Sequence, residues 1–318
     1  KPTMKIFRHY NDVTDAFKGA VVAVGNFDGV HRGHQALIAE ARRLADERGA
    51  SLGVLAFEPH PQEFFRHSKE SFRLTPFRAK ARLIAEQGAD VMFALNFDAE
   101  MATKSAQDFV LDVLVGGLGV GCIVVGQDFR FGKGRSGDVA MLSYMGEMEG
   151  FGVTVFEPVL ENTADKISST HIREALKAGK PEVAANLLGH WWSVEARVDH
   201  GDARGRTIGF PTANMNVEDF LRPAYGVYAV RATILENDKP VARYGGVANF
   251  GVRPMYKIET PLLETYLFDF AGDLYGKHLQ IEFIHYIRGE AKLAGLDALK
   301  AQIAKDCDEA RRHLAALS

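Results

Sequence analysis

The 318-residue sequence predicts two domains of different class: an α/β domain built on a parallel sheet, followed by a small antiparallel β-barrel closed by a C-terminal helix. Three observations predict this. From residue 5 to about 180, short apolar runs alternate with segments of helical period, the pattern of β-α-β units with helices on both faces of the sheet. After about Trp191 the period becomes two, and turn residues rather than helix-length segments separate the runs. The length also exceeds what one hydrophobic core usually serves.

The first-half strands are expected at 20–24, 52–57, 91–95, 122–125 and 153–156, with helices at 76–86 and 106–115 among others. Leu37, Ile38, Ala41, Leu44 and Ala45 recur with helical spacing after the first strand, and Gly49 stops that helix. Ala178-Gly179-Lys180-Pro181 and the short helix-like stretch after it form the junction, which divides the chain into domains 1–186 and 187–318. Second-half strands are expected at 194–198, 226–233, 245–249, 264–270 and 279–286. Leu296, Leu299, Ile303, Ala310 and Leu314 mark the closing amphipathic helix.

Composition narrows the function classes. Hydrophobic content of 47% and charged content of 25% describe an ordinary globular chain, and a net charge of −3 provides no basic field for nucleic acid or an anionic membrane. With only Cys122 and Cys307, neither a disulfide framework nor a thiolate metal site is expected, and a reducing cytoplasm fits best. The first residues carry no long apolar block, against a signal peptide or membrane span. Nothing in the pattern selects an oligomeric state. His9, His67, His190, His278 and His285 lack a metal-ligand spacing and read as structural or surface residues.

The chemistry of the first half centres on Val24-Gly25-Asn26-Phe27-Asp28-Gly29-Val30-His31-Arg32-Gly33-His34. It places two imidazoles three residues apart where a strand turns into a helix. There, unpaired N–H groups and the helix dipole attract anions, and Gly25 and Gly33 allow close backbone approach. Such a pair suits nucleotidyl transfer, in which an acceptor attacks an α-phosphate and pyrophosphate leaves. The same pair is compatible with one histidine capping the helix and the other lying on the surface. Ser168, Ser169 and Thr170 begin a later helix, where they can cap it or donate to phosphate, and Arg173 one turn on could reach a leaving pyrophosphate. Phe57-Glu58-Pro59-His60-Pro61 and the loop Gly126 to Gly134, with Asp128, Phe129 and Phe131, put aromatic rings at the same sheet edge and suggest a slot for a flat ring, or hydrophobic plugs under loops.

In the second half, Gly201, Gly205 and Gly209 precede Phe210-Pro211-Thr212-Ala213-Asn214. Glycines can wrap phosphates, and Thr212 and Asn214 offer hard oxygen ligands suited to Mg²⁺. By composition alone the segment is equally a Gly-rich hairpin ending in a proline turn.

The motifs together resemble a known family. GNFDGVHRGH, FEPHP, GQDFRFGKGR and ISSTHIR are similar to the FMN adenylyltransferase module of bacterial bifunctional FAD synthetases. GFPTAN, with Tyr225 to Tyr228, Gly246 to Pro254 and Glu264 to Phe270 in the same order, resembles riboflavin kinase. The resemblance implies a Rossmann-like nucleotidyltransferase domain and a six-stranded barrel that convert riboflavin to FMN and FMN to FAD with ATP and Mg²⁺. It implies that His31, His34, Arg173 and the Ser168 to Thr170 turn hold ATP phosphates, and that Gly25, Phe27, Asp28, Gly33, Asp128, Gly205 and Gly209 join in binding nucleotide. Phe57, Pro59, His60, Phe129 and Phe131 would face flavin, with Arg288 closing over it. Glu264 would be the general base, and Thr212 and Asn214 would hold Mg²⁺. Rival readings are another adenylyltransferase with the H-x-G-H signature, or a flavin-binding regulator without turnover.

Overall fold

Val21–Val24 is buried at every position and forms an interior strand of the first sheet. In the computed structural model, which describes residues 3–66, 70–157, 167–199, 209–255, 258–291 and 294–317, this sheet is six-stranded and parallel throughout. Its strands are β1 (Lys5–Phe7), β2 (Val21–Val24), β3 (Leu52–Glu58), β4 (Val91–Asn96), β5 (Cys122–Gly126) and β6 (Gly152–Phe156), in the order β1-β4-β3-β2-β5-β6. All five expected strands are present. β1 is the addition: three residues show too little alternation to register as a strand, and only pairing with β4, Lys5 opposite Val91, defines it. Strands laid after β2 run first to one side and then, from β5, to the other. The switch point therefore lies between β2 and β5, where ligands bind beyond the carboxyl ends.

Helix α1 (Arg32–Arg48) leaves β2 at that switch point and buries Leu37, Ile38, Ala41 and Ala45, and Gly49 ends it in the left-handed region at φ 61°. The remaining helices of this domain are α2 (Pro61–Phe65), α3 (Phe77–Glu86), α4 (Ala99–Thr103), α5 (Ala106–Asp108) running into a π-helix (Phe109–Leu118), and α6 (Val139–Glu149). Each sheet face carries its own core. Val22, Leu55, Phe93 and Ile123 pack with the π-helix residues Val110 and Leu114, and Val21, Val54, Met92 and Val124 pack with Ile38 and Ile84.

The second half is a closed barrel of β7 (Ser193–Asp199), β8 (Ala213–Asn216), β9 (Gly226–Glu236), β10 (Lys239–Met255), β11 (Ile258–Leu267) and β12 (His278–Arg288), in the order β10-β11-β8-β7-β12-β9. It is preceded by α7 (Ser169–Lys177) and α8 (Pro181–Leu188) and followed by α9 (Leu296–Ala315). Strand alternation turns Ala213, Met215, Ala248, Phe250 and Leu263 inward, all buried. On the outer face Val227, Ala229 and Val247 pack against Cys307 and Ala310 of α9. Burial raises the Cys307 thiol to about 11, with neighbouring Asp306 adding to it, so this cysteine is structural.

The compact units do not divide at 186/187. One comprises Lys1–Ser68 with Phe77–Lys166, the other Lys69–Pro76 with Ile167–Ser318. The physical reason is packing: Leu74, Ile172, Leu176, Ala184 and Leu188 share one apolar cluster with Trp192 of the barrel entrance. The Trp192 indole N–H donates to the Leu74 carbonyl at 3.0 Å, so the short segment after residue 69 also belongs to the second unit. His285 is structural, as expected. It pairs with Glu182 of α8, and its ring stacks on His313 of α9 at 3.5 Å.

Candidate active sites

The turn between β2 and α1 is tight. Phe27 and Val30 both adopt positive φ, 51° and 44°, which is costly for a β-branched valine and concentrates backbone strain at this turn. Phe27 is fully buried, so any nucleotide contact by it would run through its backbone, and Asp28 is buried beside it. His31 is the N-cap of α1: its Nδ1 accepts from the His34 backbone N–H at 3.3 Å. With Nδ1 an acceptor, the proton of the neutral ring sits on Nε2, which makes His31 a directed donor. Capping and ligand binding therefore use opposite edges of one imidazole. A Cβ at Gly33 would come within 3.2 Å of the His31 ring, so glycine there lets the ring lie across the helix start.

The His31 and His34 rings stack at 3.6 Å and 14°. Burial, then His31, then Lys80 hold the His34 pKa well below its ordinary value, so His34 is neutral near pH 7. Its Nδ1 is buried without a hydrogen-bond partner among the described residues, a condition that invites a ligand atom. Lys80 lies fully buried on α3 and pairs with Glu58 at the end of β3, 2.9 Å away, an ion pair that sequence reading did not single out. Its only sequence signal is a charged residue on the apolar face of α3.

Beyond β2, β3 and β5 lies a cleft of about 760 Å³, a size suited to a flat ring system. Gly25, Phe57, Asp128, Phe129 and Phe131 line it as expected. Phe129 and Phe131 stack at 5.5 Å and 19°. Pro59 and His60 do not line it. Pro59 is exposed, and His60 is a buried cap whose Nδ1 accepts from the Gln62 N–H at the start of α2. Phe65, Phe97, Lys104 and Arg135 also line it, unanticipated. Phe97 follows β4 at the same sheet edge, a position that could have revealed it.

In the second unit, Ser168 caps α7 by accepting from the His171 N–H at 3.3 Å, with Ser169 and Thr170 in the first turn. Arg173 donates from Nε to the Phe72 carbonyl at 2.9 Å and lies over the Phe72 ring. These residues belong to the second compact unit.

On the barrel, the register of β11 sets Glu264 directly opposite Asn214 of β8. Both point outward, since their neighbours Ala213, Met215, Leu263 and Thr265 are buried inside. Asn214 is itself buried, and its Oδ1 has no hydrogen-bond partner among the described residues. A lone buried acceptor beside a carboxylate fits a hard cation such as Mg²⁺, which takes few protein ligands and fills the rest with water and phosphate. Among the described residues no cluster of three His, Cys, Asp or Glu could hold a metal, which such a site does not need. Gly209 takes φ 86°, Thr212 directly precedes β8, and Gly205 lies outside the described residues. The Arg288 guanidinium grips the buried Asp306 of α9 with Nε to Oδ1 at 2.9 Å and Nη2 to Oδ2 at 2.7 Å, which ties the helix to the end of β12.

Comparison with known proteins bears on both units. Residues 13–171 match the family model of FAD synthetase and residues 188–314 that of riboflavin kinase. The bifunctional riboflavin kinase/FMN adenylyltransferase of Escherichia coli (strain K12) is 43% identical over 95% of this chain and 96% of its own. The protein of the same description from Pseudomonas fluorescens is 40% identical over 97% of each. A crystal structure described as a macrolide-efflux protein from Streptococcus pneumoniae matches at a TM-score of 0.84 and 29% identity, covering 98% of this chain and 99% of that one. Among the described residues of this chain, no helix is long and apolar enough to cross a membrane.

Proposed function

The chain belongs to the family of bifunctional riboflavin kinases/FMN adenylyltransferases and is an enzyme of both activities; from that premise we propose how its residues divide the work. Domain 1–186 transfers AMP from ATP to FMN, and domain 187–318 transfers the γ-phosphoryl group of ATP to riboflavin. One observation carries the reading. Each of the two sites holds a buried polar atom without a partner among the described residues, Nδ1 of His34 in the first and Oδ1 of Asn214 in the second.

In the adenylyl transfer, a phosphate oxygen of FMN attacks the α-phosphorus of ATP, and the bond to pyrophosphate breaks. Charge grows on the non-bridging and leaving oxygens. His31 donates from Nε2, fixed by its cap, and neutral His34 donates beside it. Gly25, Phe27, Asp28, Gly33 and Asp128 shape the nucleotide side, while Phe57, Phe129 and Phe131 stack the flavin. Ser168, Ser169, Thr170 and Arg173 are proposed to bind ATP phosphates on the strength of the motif resemblance. Pro59 and His60 act behind the cleft, His60 by capping α2.

In the kinase reaction, Glu264 takes the proton of the ribityl 5′-hydroxyl as that oxygen bonds to the γ-phosphorus and ADP leaves. Thr212 and Asn214 would hold Mg²⁺, which would neutralise the charge developing on the transferred phosphoryl group. Gly205 and Gly209 are proposed to wrap the ATP phosphates. The reactants are small molecules, with no nucleic acid or membrane among the partners, and the site of action is the cytoplasm. Riboflavin incubated with Mg²⁺ and ATP should give FMN and then FAD on chromatography, with pyrophosphate released only in the second step. Accumulation of FMN without FAD, or no conversion of riboflavin, would overturn the assignment.

A further inference from the structure

Glu58 closes β3, and strand alternation turns it to the same face as Val54 and Ala56. That face is covered by α1 and α3, whose Ile38 and Ile84 pack there. Lys80 stands near the start of α3, fully buried, and its ammonium donates to Glu58 Oε1 at 2.9 Å. His34 lies in the first turn of α1. Phe27 joins the two helix starts: its ring is 5.1 Å from the His34 ring, and it shares an apolar cluster with Ala81 and Ile84 of α3. The carboxyl edge of the sheet therefore holds a buried ion pair on the histidine side, and neither ion lines the cleft.

Stability gives little reason for this pair. Taking both ions out of water offsets most of their attraction, and apolar side chains of similar volume often replace such a pair without loss. Its orientation is the informative part. Lys80 is the ion of the two whose charge acts on His34, after burial and His31, so the cationic end of the pair is turned to the histidines. A second charge would have to fit into two rings stacked 3.6 Å apart, and an ammonium in that place opposes it. The titratable and charged groups around His34 are His31 and the buried Asp28 of its own turn, Lys80 of α3, and Glu58 at the end of β3.

We infer that Lys80 is a positioning residue of the adenylyl transfer: aimed by Glu58, its ammonium stands behind the stacked histidine pair and holds that pair in its working arrangement without touching the nucleotide. Lys80 exchanges no proton and forms no bond to a substrate. Its part is to keep His34 uncharged, so that the two rings stay stacked and Nε2 of His31 keeps its aim. The inference rests on His31 and His34 acting in the adenylyl transfer.

The test uses the full chain with the double replacement Lys80→Met/Glu58→Leu, Lys80→Arg and His34→Ala. It measures kcat and KM for FMN in FAD formation against pH, with riboflavin phosphorylation and the urea midpoint as folding controls. The double variant leaves no unpaired buried charge, so its midpoint should equal or exceed that of wild type. Its kcat should nevertheless fall about tenfold or more while KM moves less than about threefold. Removing a neighbouring cation raises a histidine pKa, so the acid limb of kcat should move to higher pH. A wild-type kcat, an acid limb that does not move, or a loss confined to KM would overturn the inference. Wild-type FAD formation in His34→Ala would instead remove the histidine assignment itself. Should the double variant also lose riboflavin phosphorylation, Lys80→Arg decides: a retained cation with wild-type kcat and limb supports the inference, and a displaced limb refutes it.

Discussion

In the first unit the reacting side chains are sequence neighbours. His31 and His34 stack at one strand-to-helix turn, and a single backbone N–H fixes the tautomer of His31. In the second unit Asn214 and Glu264 come from two strands and stand opposite one another only because β8 and β11 pair in one register. The first arrangement tolerates change in distant sequence, since its geometry is local. The second is hostage to register, because a one-residue slip would turn a member of the pair into the barrel interior.

The largest effect that separates the two is catalytic. His31→Ala with His34→Ala should lower FAD formation by two or more orders of magnitude, the usual scale for removing positioned donors, while riboflavin phosphorylation persists. Loss of both reactions in a folded protein would break the division. Next in size, Asp306→Ala should cost about 2–4 kcal/mol by leaving the Arg288 guanidinium unpaired against α9, read as a lower urea midpoint. A midpoint equal to wild type would deny Arg288 its docking role.

Asn214→Ala should raise the Mg²⁺ concentration needed for half-maximal kinase rate by roughly tenfold, as for a disturbed metal shell. FAD formation from FMN should keep its Mg²⁺ dependence. The smallest effect concerns pH. Because the folded pKa of His34 lies below 6.5, the unfolded chain binds a proton first, and stability falls as pH drops from about 6.5 towards the folded value. The slope contributed is at most about 1.4 kcal/mol per pH unit. His34→Gln should flatten the difference between urea midpoints at pH 7.5 and 5.5; an unchanged difference would mean that His34 is not held neutral.

What was legible in the sequence follows the same contrast. The strand-to-helix turn, the alternating grammar and the closing helix are written in contiguous residues, and all appear where expected. β1 and β8 are short and are recognised only by their partners, β4 and β11. The compact units depart from 186/187 because α7 and α8 bury Ile172, Leu176 and Leu188 with the barrel, a tertiary preference that local pattern does not encode. His60 looked like a ligand and is a cap, since a histidine before a proline-led helix can satisfy N–H groups as well as a flavin. The ion pair of Arg288 was not legible because its partner Asp306 lies on a separate helix.

That the two chemistries are separable along one chain is tested most directly by mixing. With riboflavin and Mg²⁺-ATP, the His31→Ala/His34→Ala variant alone should stop at FMN, and Glu264→Gln alone should leave riboflavin unchanged. Combined in one tube, the two variants should make FAD. A mixture that makes none, although each variant is folded and keeps its own remaining reaction, would contradict the account.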